Sequence, residues 1–322
     1  MQPTTLQEAI IYFSNYANCH EAVKAIRWPD GVVRCPTCNS DHVTYLDTAR
    51  VWKCYRKHPR AKFSLKIGTI FEDSPVGLEK WLPALWMLVN CKNGISSYEL
   101  ARALGVTQKT AWFMLSRLRL ALQSKDGGGM LEGHVEVDET YIGGKARNMN
   151  EQKRKEVLAG KGRKNAWAGK VAVMGLLQRH SEKGKSKVRT FTVTGVKQYQ
   201  MRERVKRNVM DGSALYTDAF KSYFGLDVYY QHQVIDHAEK YADGVVHTNG
   251  LENYWALLKR ALKGTYVSAM PFHLFRYLDE QAFRFNERAN DDAGRFLLGL
   301  KGILRKRLTY TALTGSELPQ TC

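Results

Sequence analysis

The sequence predicts a multi-domain chain in which a small β zinc ribbon and an all-α helix-turn-helix region precede an α/β core, a mixed sheet flanked by helices. Three observations predict it. Cys35, Cys38 and Cys54 cluster in a segment of short alternating runs. Residues 78–122 carry helical patterning around a glycine turn. Beyond a Gly-rich break, strand-like runs alternate with helix-like ones, and acidic residues stand at their ends. A chain of 322 residues is long enough for two or three domains. The expected boundaries are 1–74 for an N-terminal helix and ribbon, 75–125 for the helix-turn-helix region, 130–290 for the core and 291–322 for a C-terminal helical tail.

Charge narrows the partner. The chain carries 49 Lys and Arg against 31 Asp and Glu, a formal net charge of +18. Such an excess repels itself unless a polyanion shares the field. Nucleic acid fits, because each neutralised phosphate releases counterions. A membrane fits poorly: no stretch approaches the roughly 18 to 20 apolar residues of a span, and no basic amphipathic helix with a long apolar face stands out. The N-terminus MQPTTLQEAIIYFSNYANCH carries Glu8 and only a short apolar run, unlike a signal peptide. A reducing cytoplasm, at the nucleoid, is therefore expected. Six cysteines are too few and too scattered for a disulfide framework; Cys19, Cys91 and Cys322 read as structural.

In chain order, residues 1–30 read as a short helix closed by the turn Trp28-Pro29-Asp30-Gly31. The runs His42–Leu46 and Phe63–Ile67 read as small β-ribbons. Residues 78–122 read as two or three helices. Lys125–Gly129 is a flexible break. His134–Thr140 alternates like a strand. Lys145–Lys170, with nine Lys and Arg against two Glu, reads as a mobile loop that is either a solvated linker or a DNA contact. Val171–Leu177 and Val188–Thr194 read as strands, Val196–Met210 as a helix, and Ala214–Tyr216 as a buried strand running into Asp218. From Asn249 to about Leu308 the pattern is helical.

Cys35-Pro36-Thr37-Cys38 is a C-x2-C knuckle, whose two thiolates reach one tetrahedral Zn²⁺. Cys54 and His58 supply the second pair, giving a closed, structural Cys3His site. His42, and more remotely His20, are rivals for the fourth position.

In residues 94–122, Ser96-x-x-Glu99 forms a capping box and Leu100, Ala101 and Leu104 an apolar face. Gly105 turns the chain and Thr107 caps the next helix, which buries Ala111, Phe113 or Met114, Leu115 and Leu118. That pattern reads as a helix-turn-helix; an ordinary helical hairpin is the alternative. On the first reading Gln108, Lys109 and Thr110 face a major groove, and Arg117 and Arg119 reach phosphates.

Asp138 ends its strand on the same face as Glu136, with Glu139 on the other. Asp218 follows a buried run, where a carboxylate must be solvated, paired or metal-bound. Glu252 opens a helix in HTNGLENYWALLKR. Cleavage of a phosphodiester requires an activated oxygen and relief of charge on the attacking and leaving oxygens. Two Mg²⁺ (or Mn²⁺) ions held by carboxylates supply both. Lys259, two turns beyond Glu252 on nearly the same face, could hold a DNA phosphate. Asn249-x-x-Glu252 is also a passable capping box, and Asn249 could be the third metal ligand in place of Glu252.

The segments DETYIGGK (Asp138–Lys145), YTDAF (Tyr216–Phe220) and HTNGLENYWALLKR (His247–Arg260) resemble the ISXO-type bacterial insertion-sequence transposases of the DDE superfamily. CPTC, KFSLKIGTIFEDS (Lys62–Ser74) and GVTQKTAWFMLSRLR (Gly105–Arg119) extend the resemblance, which covers most of residues 15–290. It implies an RNase H-like core that cuts and joins transposon ends with Mg²⁺, through Asp138, Asp218 and Glu252 or Asn249. It also implies a Cys in the last knuckle, where this chain has His58. Ends come in pairs, so a homo-oligomer on DNA is expected.

Overall fold

A computed structural model describes residues 3–123, 129–144, 149–158, 169–180, 185–193, 198–218, 223–235, 247–267 and 269–315. The chain divides into two compact units; residues up to 123 and from 290 to 318 form the first, and residues 124–289 make up nearly all of the second.

The first unit opens with α1 (Leu6–Phe13), capped by a Thr5–Glu8 capping box, and α2 (Tyr16–Arg27), capped by Asn15. A three-stranded antiparallel ribbon follows: β1 (Val43–Leu46), β2 (Val51–Cys54) and β3 (Lys62–Phe63). Period-2 alternation puts Trp52, Cys54 and Phe63 inward and Lys53 and Lys62 outward. The Trp52 ring stacks on Phe63 and on His20, centroids 5.8 and 5.1 Å apart. Three helices complete this stretch: α3 (Leu78–Asn90), α4 (Ser97–Leu104) and α5 (Gln108–Leu122). Gly105 turns between α4 and α5 in the left-handed region (φ 59°), where a side chain would be strained.

The second unit is a five-stranded mixed sheet in the order β6-β5-β4-β7-β8. Its strands are β4 (His134–Ile142), β5 (Val171–Gln178), β6 (Lys187–Val193), β7 (Ala214–Asp218) and β8 (Gln231–Ile235). The pairs β4–β5 and β5–β6 are antiparallel; β4–β7 and β7–β8 are parallel. A helix α6 (Glu151–Leu158) lies between β4 and β5 in sequence, α7 (Gln198–Asn208) between β6 and β7, and α8 (Asn249–Gly264) and α9 (Leu274–Asn286) follow β8. Alternation along β4 separates two cores. Val135 and Val137 pack with Leu215 and with Met201 and Val205 of α7 on one face. Leu251, Trp255 and Leu258 of α8 and Leu278 of α9 cover the other, over Val173 and Leu177.

The chain then returns to the first unit through α10 (Asp292–Lys301) and the short α11 (Tyr310–Thr314). The C-terminal stretch expected to be a tail is therefore part of that unit. Phe296 meets Phe13 and Trp86, both at 5.2 Å, and a Cβ on Gly299 would come within 3.1–3.3 Å of Leu85, Val89 and Leu122. A second correction concerns Lys145–Lys170, expected to be loop. Glu151–Leu158 is helical, supported by a Glu151–Lys155 ion pair one turn apart, while 145–148 and 159–168 lie outside the described residues. So do residues 124–128, which hold most of the expected break. Among the described residues, no helix is long and apolar enough to cross a membrane.

Candidate functional site

The sheet register brings two of the expected acids together. In the parallel β4–β7 pair, Glu136 lies opposite Tyr216 and Val137 opposite Thr217. The next step of that register sets Asp138 beside Asp218, on strands about 4.8 Å apart and on one face. Helix α8 lies on that same face. Its Trp255 Nε1 donates to Asp138 Oδ2 at 2.9 Å, and the backbone N–H of Glu139 donates to Oδ1 at 2.8 Å. Glu252, half-buried, precedes Trp255 by three residues and so neighbours it along the helix surface. Burial holds the Asp138 carboxyl above the ordinary range; the two donated bonds oppose this, and the charges of Asp218 and Glu252 raise it further. Asp218 and Glu252 thus both act on the charge of Asp138.

Trp255 enters because position 175 has no side chain. Gly175 is the cross-strand partner of Asp138 in β5, and a Cβ there would fall 2.6 Å from Trp255 Cζ2 and 2.8 Å from Leu251 Cδ2. Gly175→Ala is therefore expected to destabilise the unit by about 1–3 kcal/mol. Gly264→Ala, with open space around it, should be near neutral; denaturant titration of both variants checks the contrast.

Glu139 points to the opposite face, toward fully buried Tyr223. Burial pushes its carboxyl up to about 7, the Tyr223 hydroxyl works against this, and the Asp138 and Asp218 charges add to the rise. The capping-box reading of Asn249 and Glu252 is not what forms. Thr248 is the N-cap, without a side-chain cap bond, which leaves Asn249 exposed at the first helical position. Lys259 is exposed farther along α8.

The ribbon brings together Cys35, Cys38, Cys54 and His58, whose ligand atoms all lie within 4.8 Å of one another. Cys38 Sγ and Cys54 Sγ are 3.6 Å apart, and Cys35 Sγ and His58 Nε2 3.4 Å. Ligands at about 2.3 Å (S) and 2.0–2.1 Å (N) around a tetrahedral Zn²⁺ require separations of about 3.8 and 3.5 Å. The donor set fits structural zinc. Of the rivals, His20 is engaged with Trp52 and Glu21, and His42 lies against Tyr55.

Helices α4 and α5 carry the expected caps: the Ser96–Glu99 box and Thr107. At the start of α5, Lys109 is exposed, while the Gln108 amide is engaged with Ser97 Oγ at 2.8 Å and the Thr110 hydroxyl with Thr107 at 2.9 Å. Arg117 and Arg119, expected at phosphates, are buried at 4% and 2% exposure. Arg117 donates to the carbonyls of Ile70 and Glu72 at 2.9 and 2.6 Å. The C-terminal half of α5 is buried all round, because the chain on either side of the helix pair closes over it. A helix-turn-helix pattern alone does not reveal such a cover.

Residues 130–286 match the family model described as the ISXO2-like transposase domain, and residues 14–56 the transposase zinc-ribbon domain. The chain is 34% identical over 103 residues to an uncharacterized transposase-like protein of Haemophilus influenzae, covering 32% of this chain and 83% of that protein. The chain belongs to the ISXO2-like transposases. Halobacterium salinarum supplies another relative of this transposase, an uncharacterized protein in transposable element ISH50. The two are 29% identical over 243 residues, which is 74% of this chain and 80% of the relative. The domain match spans Asp138, Asp218 and Glu252. The ribbon match ends at residue 56, so His58 of the transposase stands on geometry.

Sequence reasoning missed Trp255, Gly175 and the buried pair Glu136–Arg179, whose nitrogen and oxygen are 2.7 Å apart. Only Glu136 left a signal, as a second acid on the Asp138 face.

Proposed function

We propose that this chain is a DNA transposase that binds transposon ends and cuts and joins strands by metal-dependent phosphoryl transfer at Asp138, Asp218 and Glu252. The observation that carries the reading is the setting of Asp138 beside Asp218 on parallel strands, under the helix that bears Glu252. The sheet order, three antiparallel strands and then two parallel ones, supports an RNase H-like core.

The residues fit a divalent ion of the Mg²⁺ or Mn²⁺ type. Their donors are hard oxygens, and a cation would offset what raises the Asp138 carboxyl, burial first and then the charges of Asp218 and Glu252. Two such ions would supply an activated attacking oxygen and charge relief at the leaving oxygen. Asp138, Asp218 and Glu252 would hold them, with Asn249 the alternative third ligand. Trp255 fixes the Asp138 carboxylate through one oxygen, which leaves lone pairs on both for coordination. Exposed Lys259 would hold a DNA phosphate beside the site. In the reaction, hydrolysis at the element's end frees a 3′-hydroxyl, which then attacks a target phosphodiester and displaces its 3′-oxygen. No covalent protein intermediate is needed.

Helices α4 and α5 act as the helix-turn-helix, with Lys109 the main exposed contact at the start of α5 and Gln108 and Thr110 beside it. The ribbon zinc is structural. Paired ends imply a homo-oligomer on DNA.

The experiment is incubation with Mg²⁺ and a plasmid that carries the DNA flanking both sides of the gene. Cuts at two matched boundaries, and joining of pre-cut ends to a second duplex, are expected. Cutting without joining would indicate a nuclease, and binding without cutting a regulator derived from a transposase.

A further inference from the structure

We propose that Glu136 and Arg179 are positioning residues: a buried ion pair that ties together the three elements bearing the catalytic acids. The inference rests on the catalytic reading above. Glu136 lies two residues before Asp138 on the same face of β4, and its side chain is 1% exposed. A charge buried that deeply is costly unless its oxygens are fully used. One oxygen takes Arg179 Nε at 2.7 Å; the other accepts the backbone N–H of Leu251 at 2.8 Å.

That second bond sits in the first turn of α8, whose N-terminal amides have no partners within the helix. The N-cap, Thr248, makes no side-chain cap bond. Glu136 therefore caps α8 from the neighbouring strand, and its charge complements the positive helix end. Leu251 directly precedes Glu252, so holding the Leu251 amide holds the backbone that carries the third acid. Gly250 makes the approach possible: a Cβ there would lie 2.8 and 2.9 Å from the two Glu136 oxygens.

Arg179 extends the tie. Its guanidinium donates to His247, at Nδ1 (2.8 Å) and at the carbonyl, which fixes the chain entering α8. It also lies over the Tyr216 ring, 4.4 Å from the centroid, two residues before Asp218 in β7. Strand β4, strand β7 and helix α8 thus meet at one ion pair. The Arg179 charge balances Glu136, which keeps this fourth acid out of the metal-binding set.

The test uses zinc-replete full-length protein with Glu136→Gln, Arg179→Lys and, in parallel, Asp138→Asn. Mn²⁺ binding without DNA is read by electron paramagnetic resonance. Mg²⁺-dependent cleavage is read on the plasmid with the gene's flanks, with kcat and KM separated. Outer-shell partners of metal ligands are typically worth about 10–100-fold. Glu136→Gln and Arg179→Lys are expected to weaken Mn²⁺ binding and lower kcat by about that factor, with KM for DNA unchanged. If both fold and both keep wild-type Mn²⁺ affinity and kcat while Asp138→Asn loses them, the positioning role is overturned and the catalytic site stands. If Asp138→Asn also keeps both, the catalytic reading falls. Should Glu136→Gln fail to fold, Arg179→Lys decides: full Mn²⁺ affinity and kcat there would leave Glu136 a purely structural residue and overturn the proposal.

Discussion

Asp138→Asn is expected to lower Mg²⁺-dependent cleavage by on the order of 10³-fold or more, with binding of the element's ends and the melting temperature nearly unchanged. Asparagine keeps the shape of the side chain. Its carbonyl oxygen can still accept from Trp255 Nε1 or from the Glu139 amide, the two donors that orient the carboxylate. What disappears is the negative charge. Burial and the charges of Asp218 and Glu252 already make that charge costly to maintain, so the amide relieves repulsion. The variant should fold about as well without metal, because the relieved charge offsets the one donor left without its acceptor. A group that costs stability and supports reaction is the signature of a site shaped for charge from outside the chain. Quantitative cleavage beside a gel-shift titration reads both quantities. Full activity in the variant would remove Asp138 from the reaction; joint loss of binding and of folding would give it a structural role.

The second large effect is removal of zinc. The ribbon is four-, four- and two-residue strands around Trp52, too little core to order itself. A structural zinc of this type is worth roughly 10 kcal/mol or more of folding free energy. One Zn²⁺ per chain is expected by elemental analysis. Chelation, or Cys54→Ser, should release the Trp52 stack against His20 and Phe63, seen as a red shift of tryptophan fluorescence and loss of near-ultraviolet circular dichroism. Readdition of Zn²⁺ should reverse the first and not the second. A chain isolated without zinc that keeps its ribbon spectrum would refute the assignment.

Much of this was legible in the sequence because each signal is local. The CPTC knuckle, the Ser96–Glu99 box with Gly105, and the alternation from His134 to Thr140 specify geometry within a few residues. Long-range features were not. The burial of Arg117 depends on Ile70 and Glu72, more than forty residues away. The return of α10 to the first unit rests on contacts such as Asn90 with Arg295, 2.8 Å apart. The meaning of Gly175 appears only when Trp255 is laid across it. Glu136 was noticed as an acid on the right face, but its partner Arg179 could not be named before β5 was paired with β4. The cap of α8 is not local either: Asn249 suits an N-cap by composition, which makes the capping box a passable alternative, yet Thr248 is the N-cap and the Leu251 amide is capped from β4.

The account stands on three carboxylates serving one divalent site, and iron-directed cleavage of the polypeptide tests it most directly. Fe²⁺ is bound in place of Mg²⁺ on zinc-replete protein, ascorbate and peroxide generate hydroxyl radical at the ion, and the breaks are mapped by mass spectrometry. Breaks should cluster at three separate stretches of sequence, near Asp138, Asp218 and Glu252, and all three should vanish together in Asp138→Asn. Breaks confined to one stretch, or three that persist in the variant, would contradict the account.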